Sequence, residues 1–187
     1  MSKQSFSAME VVIAIGALTT SAAAVYIAWD QAQTMRVEQH ASVFPAIQID
    51  PISAYTNGNG VKVGFDVENA GVGPAFIKSA QIRANGERLA GFEEVTRRVP
   101  HGVDIQAEQL TGRVLAPGVS QEALTLSWRE IVMTTEKLND IYAATDGWEM
   151  EVCYCSTLHR CWISRSGQRT EPGKVDVCPA LPDVGLF

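Results

Sequence analysis

Four cysteines hold most of the reactive chemistry of this 187-residue chain, and Cys153, Cys155, Cys161 and Cys178 all fall within its last 35 residues. An even number of clustered thiols in a β-like region reads as a disulfide framework made in an oxidising compartment. Zinc is the competing use, with His159 as an extra ligand. Against it, Cys-x-Cys followed by gaps of five and sixteen residues departs from the usual structural zinc spacing. Free thiols in a reducing compartment are the third reading. Redox catalysis is not expected, because Cys-x-Cys on the polar face of a strand is not the helix N-terminal setting that lowers a thiol pKa. The other candidates read as structure. Gly71-Val-Gly73 lacks the Lys-Ser/Thr of a phosphate loop, His40, His101 and His159 read as solvated, and Glu93-Glu94 with Arg97-Arg98 reads as a solvated face. No Gly-x-Ser-x-Gly or His-Glu-x-x-His occurs, so no catalytic residue, metal or cofactor is expected.

Strand alternation has to position the sulfurs. In Trp148-Glu-Met-Glu-Val-Cys-Tyr-Cys155, Trp148, Met150, Val152 and Tyr154 share a face expected to be core, and Glu149, Glu151, Cys153 and Cys155 share the other. Ser156-Thr-Leu-His-Arg160 reads as a hairpin loop that sets Cys155 opposite Cys161 and Tyr154 opposite Trp162, leaving Cys178 for Cys153. Four cysteines allow three pairings, and connectivity stays open at this level. By chain entropy the short loop would contribute about 2 to 2.5 kcal/mol and the long one about 3.5.

The region after residue 42 has a usual single-domain length. Short alternating runs dominate it. Ala46-Ile-Gln-Ile49 precedes the turn Asn57-Gly-Asn-Gly60, and Val61, Val63, Phe65 and Val67 then alternate inward. Phe76-Ile-Lys-Ser-Ala-Gln-Ile-Arg83 leads to Asn85-Gly86, a strong hairpin signal. Val114-Leu-Ala-Pro-Gly118 precedes Ala123-Leu-Thr-Leu-Ser-Trp128. One short helix is predicted, over residues 135–144, with Leu138, Ile141 and Tyr142 on one face. This spacing predicts a mainly β sandwich. Through Asn69, Gly71, Pro74, Ala75, Asn85, Gly86 and the later Leu115 to Gly118, the region resembles the immunoglobulin-like, cell-adhesion-related domains of bacterial surface proteins. The whole chain is similar to uncharacterised single-span bacterial membrane proteins carrying such a domain; that resemblance implies a topology and no activity.

The N-terminal part sets the expected compartment. Residues 11–29 carry no charge and as a helix would span roughly 28 Å, close to a bilayer's hydrocarbon thickness. Ser7 and Glu10 form a capping box, and no Gly or Pro follows Gly16 before Pro45, which predicts one helix from about Ala8 to Ser42, membranous first and a wetted stalk beyond. Tyr26 and Trp29 are placed at the membrane interface. Gly16, Thr20, Ala24 and Ala28 recur every fourth residue, either as a helix-packing face or as the ordinary small-residue content of membrane helices. A cleaved signal peptide ending near Ser21-Ala-Ala-Ala24 is the rival, but apolar residues resume at Val25, and an uncleaved anchor is expected.

Lys3 and Arg36 flank the span almost evenly, so the sulfurs decide orientation: residues 1–7 a cytoplasmic tail, 8–42 helix and stalk, 43–187 a periplasmic domain on a bacterial inner membrane. A net charge of −6 and a pI near 5.1 argue against nucleic acid and anionic headgroups as partners. The expected role is a non-catalytic accessory subunit that packs against other membrane subunits or a second copy, with no small-molecule substrate. The alternative is a tethered envelope sensor or ligand-binding module; an envelope enzyme comes third.

Overall fold

The computed structural model describes residues 7–56, 60–129, 133–168 and 171–180. Residues 57–59 of the predicted turn at 57–60, and residues 1–6 of the predicted tail at 1–7, Lys3 among them, lie outside them. The chain divides into two units, Met1–Ser42 and Val43–Phe187.

In the first unit, helix α1 (Ala8–Ser42) has 35 residues, about 52 Å at 1.5 Å per residue. Its start is set reciprocally: the Ser7 backbone N–H donates to Glu10 Oε2 at 2.8 Å, and the Glu10 N–H donates to Ser7 Oγ at 3.4 Å. None of its residues is buried.

The second unit is mainly β. Its strands are β1 (Ile47–Thr56), β2 (Gly60–Asn69), β3 (Ala75–Ala84), β4 (Glu87–Arg88), β5 (Asp104–Ala107), β6 (Val114–Leu115), β7 (Ser120–Trp128), β8 (Trp148–Cys155), β9 (Cys161–Arg165) and β10 (Gly173–Val175). They form two antiparallel sheets, one ordered β1-β2-β7-β5 and the other β10-β9-β8-β3-β4, with β6 also on β3. Both sheets give their apolar faces to one core. Val61, Val63, Phe65, Val67, Leu124 and Leu126 come from the first, and Ile77, Ile82, Met150, Val152 and Tyr154 from the second. In β3 the buried apolar positions change parity, from Ala75 and Ile77 to Ala80, Ile82 and Ala84, where the register with β8 slips between Ile77 and Ser79; the polar Ser79 and Gln81 are buried as well. The β3–β4 turn has Asn85 at φ 52° and Gly86 at φ 85°, the left-handed pair that a two-residue hairpin requires.

Among the described residues the domain contains two helices where the sequence predicted one, α2 (Phe92–Arg98) and α3 (Thr135–Thr145). The charge run read as a solvated face is a helical turn pair. Glu93 and Glu94 sit in its first turn and Arg97 and Arg98 in its last, the arrangement that complements the helix dipole. Val95 is buried, and Arg98 reaches Glu94 at 3.2 Å and Glu87 at 2.7 Å. Hydrogen bonds from the Ala90 N–H and then Arg98 hold the Glu94 carboxyl below its ordinary pKa. In α3, Ile141 is buried and Leu138 half-buried, while Tyr142, on the same apolar face, stands 36% exposed.

One buried side chain joins the two sheets. The Asn69 carboxamide accepts from the Ala46 N–H at 3.2 Å and the Gly71 N–H at 3.1 Å. It donates to the Gly73 carbonyl at 2.8 Å and to Leu115 of β6 at 2.9 Å. Removing it takes a partner from the buried Gly73 and Leu115 carbonyls and from the half-buried Ala46 and Gly71 N–H groups. Asn69→Ala is therefore expected to cost about 3 kcal/mol and to lower the thermal midpoint of the detergent-solubilised chain by about 10 °C, measured by near-ultraviolet circular dichroism. A midpoint within a degree or two of wild type would contradict this role.

Candidate functional site

Three features of the described residues could carry function: the surface of α1, the sulfur-bearing corner of the second sheet, and the edge of β1.

On α1 the hydroxyls within the apolar segment are turned back onto the helix itself. Thr19 donates to the Gly16 carbonyl at 2.9 Å, Thr20 to Gly16 at 2.8 Å, and Ser21 to Ala17 at 2.7 Å. This leaves few polar groups seeking partners along the apolar part, which is what a hydrocarbon environment demands. Gly16, Thr20, Ala24 and Ala28 are all exposed, and a Cβ built on Gly16 meets nothing within 4 Å. The interface candidates Tyr26 and Trp29 are exposed too, at 73% and 68%. The helix is long and apolar enough to cross a membrane.

In the second sheet, β8 and β9 pair Cys155 with Cys161 and Tyr154 with Trp162. Two disulfides form, Cys155–Cys161 and Cys153–Cys178. The cysteine face of β8 is not open to water as its sharing with Glu149 and Glu151 suggested, since Cys153 is 1% and Cys155 6% exposed. Of the aromatics assigned to the core, Tyr154 is fully buried, whereas Trp148 and Trp162 are half-buried. Trp162 packs edge-on against Phe44 at 5.1 Å and stacks on Tyr154 at 6.0 Å. His101 and His159 are exposed.

The β1 edge was not legible from sequence. Ala46 turns both its N–H and its C=O toward β2, to Asn69 Oδ1 and to the Ala70 N–H. By alternation, Ile47, Ile49 and Pro51 present their backbone groups outward. Pro51, paired with Phe65, thus costs the ladder no donor and blunts the free edge. Ser164 of β9 donates to the Ile47 carbonyl at 2.7 Å, in contact with the buried Tyr154 hydroxyl. A groove of about 590 Å³ runs along this edge, lined by Gln48, Ile49 and Pro51 on one side and by Ser164, Arg165 and Pro172 on the other. A second cavity of about 280 Å³ is lined by Phe65, Leu126, Tyr142 and Trp148 among others, with Asp146 also on its wall.

Charge across the outer face of the first sheet is mainly negative. Asp50, Asp66 and Glu122 are direct neighbours on three adjacent strands, and like charges so placed repel. Lys62 offsets this by contacting Glu122 at 2.6 Å, and its hydrogen bond holds that carboxyl below the ordinary range. Ser120 donates to Asp66. No protein-family model matches the sequence, and no curated protein matches it either.

Burial pushes the Tyr154 phenol above its ordinary pKa, and its hydrogen bond with Ser164 offsets only part of that shift. A raised folded-state pKa means that the neutral phenol favours the fold below the unfolded value near 10, and that this contribution is lost as pH rises through the folded value. Chemical denaturation across the alkaline range is expected to show wild type losing stability above about pH 10 more steeply than Tyr154→Phe. Parallel curves for the two proteins would refute the assignment.

Proposed function

We propose that this chain is a non-catalytic accessory subunit of a membrane assembly, fixed in the bacterial inner membrane by α1, with its disulfide-bonded β domain in the periplasm. On this reading the domain is an immunoglobulin-like sandwich that docks on partner subunits or on a second copy of the chain. The observation that carries the proposal is the long helix with an apolar segment and no buried residue. Such a surface needs lipid or protein to cover it. The back-bonded hydroxyls and the small-residue face at Gly16, Thr20, Ala24 and Ala28 support close helix packing. Sulfur–sulfur bonds support the periplasmic side. The acidic outer face of the first sheet supports protein partners over nucleic acid or anionic headgroups.

The cavity beside Tyr142 and Trp148 favours a second reading, a tethered envelope module that binds a small apolar ligand. Purification in mild detergent followed by native mass spectrometry separates the two. The accessory reading predicts that the chain leaves the membrane with a second membrane protein or a second copy bound. Gly16→Leu combined with Ala24→Leu should reduce that association by about tenfold or more. A clean monomer, unaffected by the double substitution, would leave the ligand-binding reading in its place.

A further inference from the structure

The two disulfides are not separate staples. Cys155 Sγ lies 4.0 Å from Cys178 Sγ, across from one bridge to the other. The sulfurs of Cys155, Cys161 and Cys178 all fall within 4.8 Å of one another. Cys153 and Cys155 are two apart on one strand and therefore share a face, which places their bridges side by side. We infer that the four cysteines form one thiol–disulfide exchange site, in which a two-electron reduction of the hairpin bridge lets Cys178 pass between Cys153 and Cys155.

The chemistry balances with one co-reactant, a dithiol reductant. Its thiolate attacks Cys161 Sγ, itself only 7% exposed but at the end of the exposed loop residues 157–160, and the Cys155 thiolate departs. The second thiol of the reductant then displaces Cys161 as a thiolate, and the reductant leaves as its own disulfide. Cys155 now faces the remaining bridge. Its thiolate attacks Cys178 Sγ, the Cys155–Cys178 bond forms, the Cys153–Cys178 bond breaks, and Cys153 takes the electron pair. That last step consumes no oxidant or reductant. Its product keeps the segment around Cys178 tied to β8, so the first two electrons open the hairpin without freeing residues 176–180. Cys153, 1% exposed, is a thiol shielded from further attack, while Cys161 is released at the start of β9.

The test uses the full chain in detergent and reads bridges directly. Wild type is treated with limiting dithiothreitol, quenched in acid and alkylated. Trypsin and chymotrypsin then cut it; cleavage after Tyr154 separates Cys153 from Cys155, and linked peptides are identified by mass spectrometry. The expected two-electron product links Cys155 to Cys178, with Cys153 and Cys161 alkylated, in an amount within about tenfold of the form that keeps Cys153–Cys178. Cys161→Ser, which presents the Cys155 thiol without any reductant, should show Cys178 shared between Cys153 and Cys155. Partial reduction of wild type gives the same reading should that variant fold poorly. Finding Cys178 linked only to Cys153, with Cys155 fully alkylated, would overturn the inference.

Discussion

The domain rests on a buried carboxamide. Asn69 ends β2 in one sheet, yet it holds the Leu115 carbonyl of the other and the Ala46 N–H just before β1. Its backbone is engaged as well, the N–H donating to Val119 and the carbonyl accepting from Gly118. An amide side chain can satisfy donors and acceptors at once, which a carboxylate or an aliphatic group of similar size cannot do. The surrounding chain is shaped to let it. A Cβ on Gly71 would lie 2.4 Å from the Ala46 nitrogen, and one on Gly73 would lie 2.1 Å from the Val43 carbonyl oxygen, so only glycine permits this approach. The Phe44 carbonyl accepts from both Val72 and Gly73 in the same place. Residues 43–46 are thereby bound into the domain from its first residue.

Where one physical signal dominated, the sequence was readable. Period-2 alternation marked β2 and β8, Asn85-Gly86 marked its hairpin, and the capping box with an uninterrupted apolar run marked α1. Signals failed where partners lie far apart in the chain. The parity change in β3 depends on its pairing with β8, some seventy residues on. β5 and β10 are too short to show a period. Helix α2 was hidden because its charges suggested solvent; the clue available was Val95 with Val99, four residues apart and both buried.

The same division holds at the candidate sites. The cysteines and the small-residue face of α1 stand out by residue type. The β1 groove does not, because it forms between residues more than a hundred positions apart, with Ser164 closing on Ile47. Nor does the contact between Cys155 and Cys178, which depends on how the chain returns after β10. Cys153 and Cys155 are buried as well, although alternation along β8 placed them on its polar face.

The proposed arrangement, an anchor in lipid with the β domain beyond the cytoplasm, draws on the unburied apolar helix and on the two sulfur bridges. Reporter fusions after Ala180 test it most directly, since alkaline phosphatase matures only outside the cytoplasm and green fluorescent protein, exported unfolded, fluoresces only within it. The account predicts an active phosphatase fusion and a dark fluorescent one, both retained in the membrane fraction. A bright fluorescent fusion with inactive phosphatase would place the domain in the cytoplasm and contradict it.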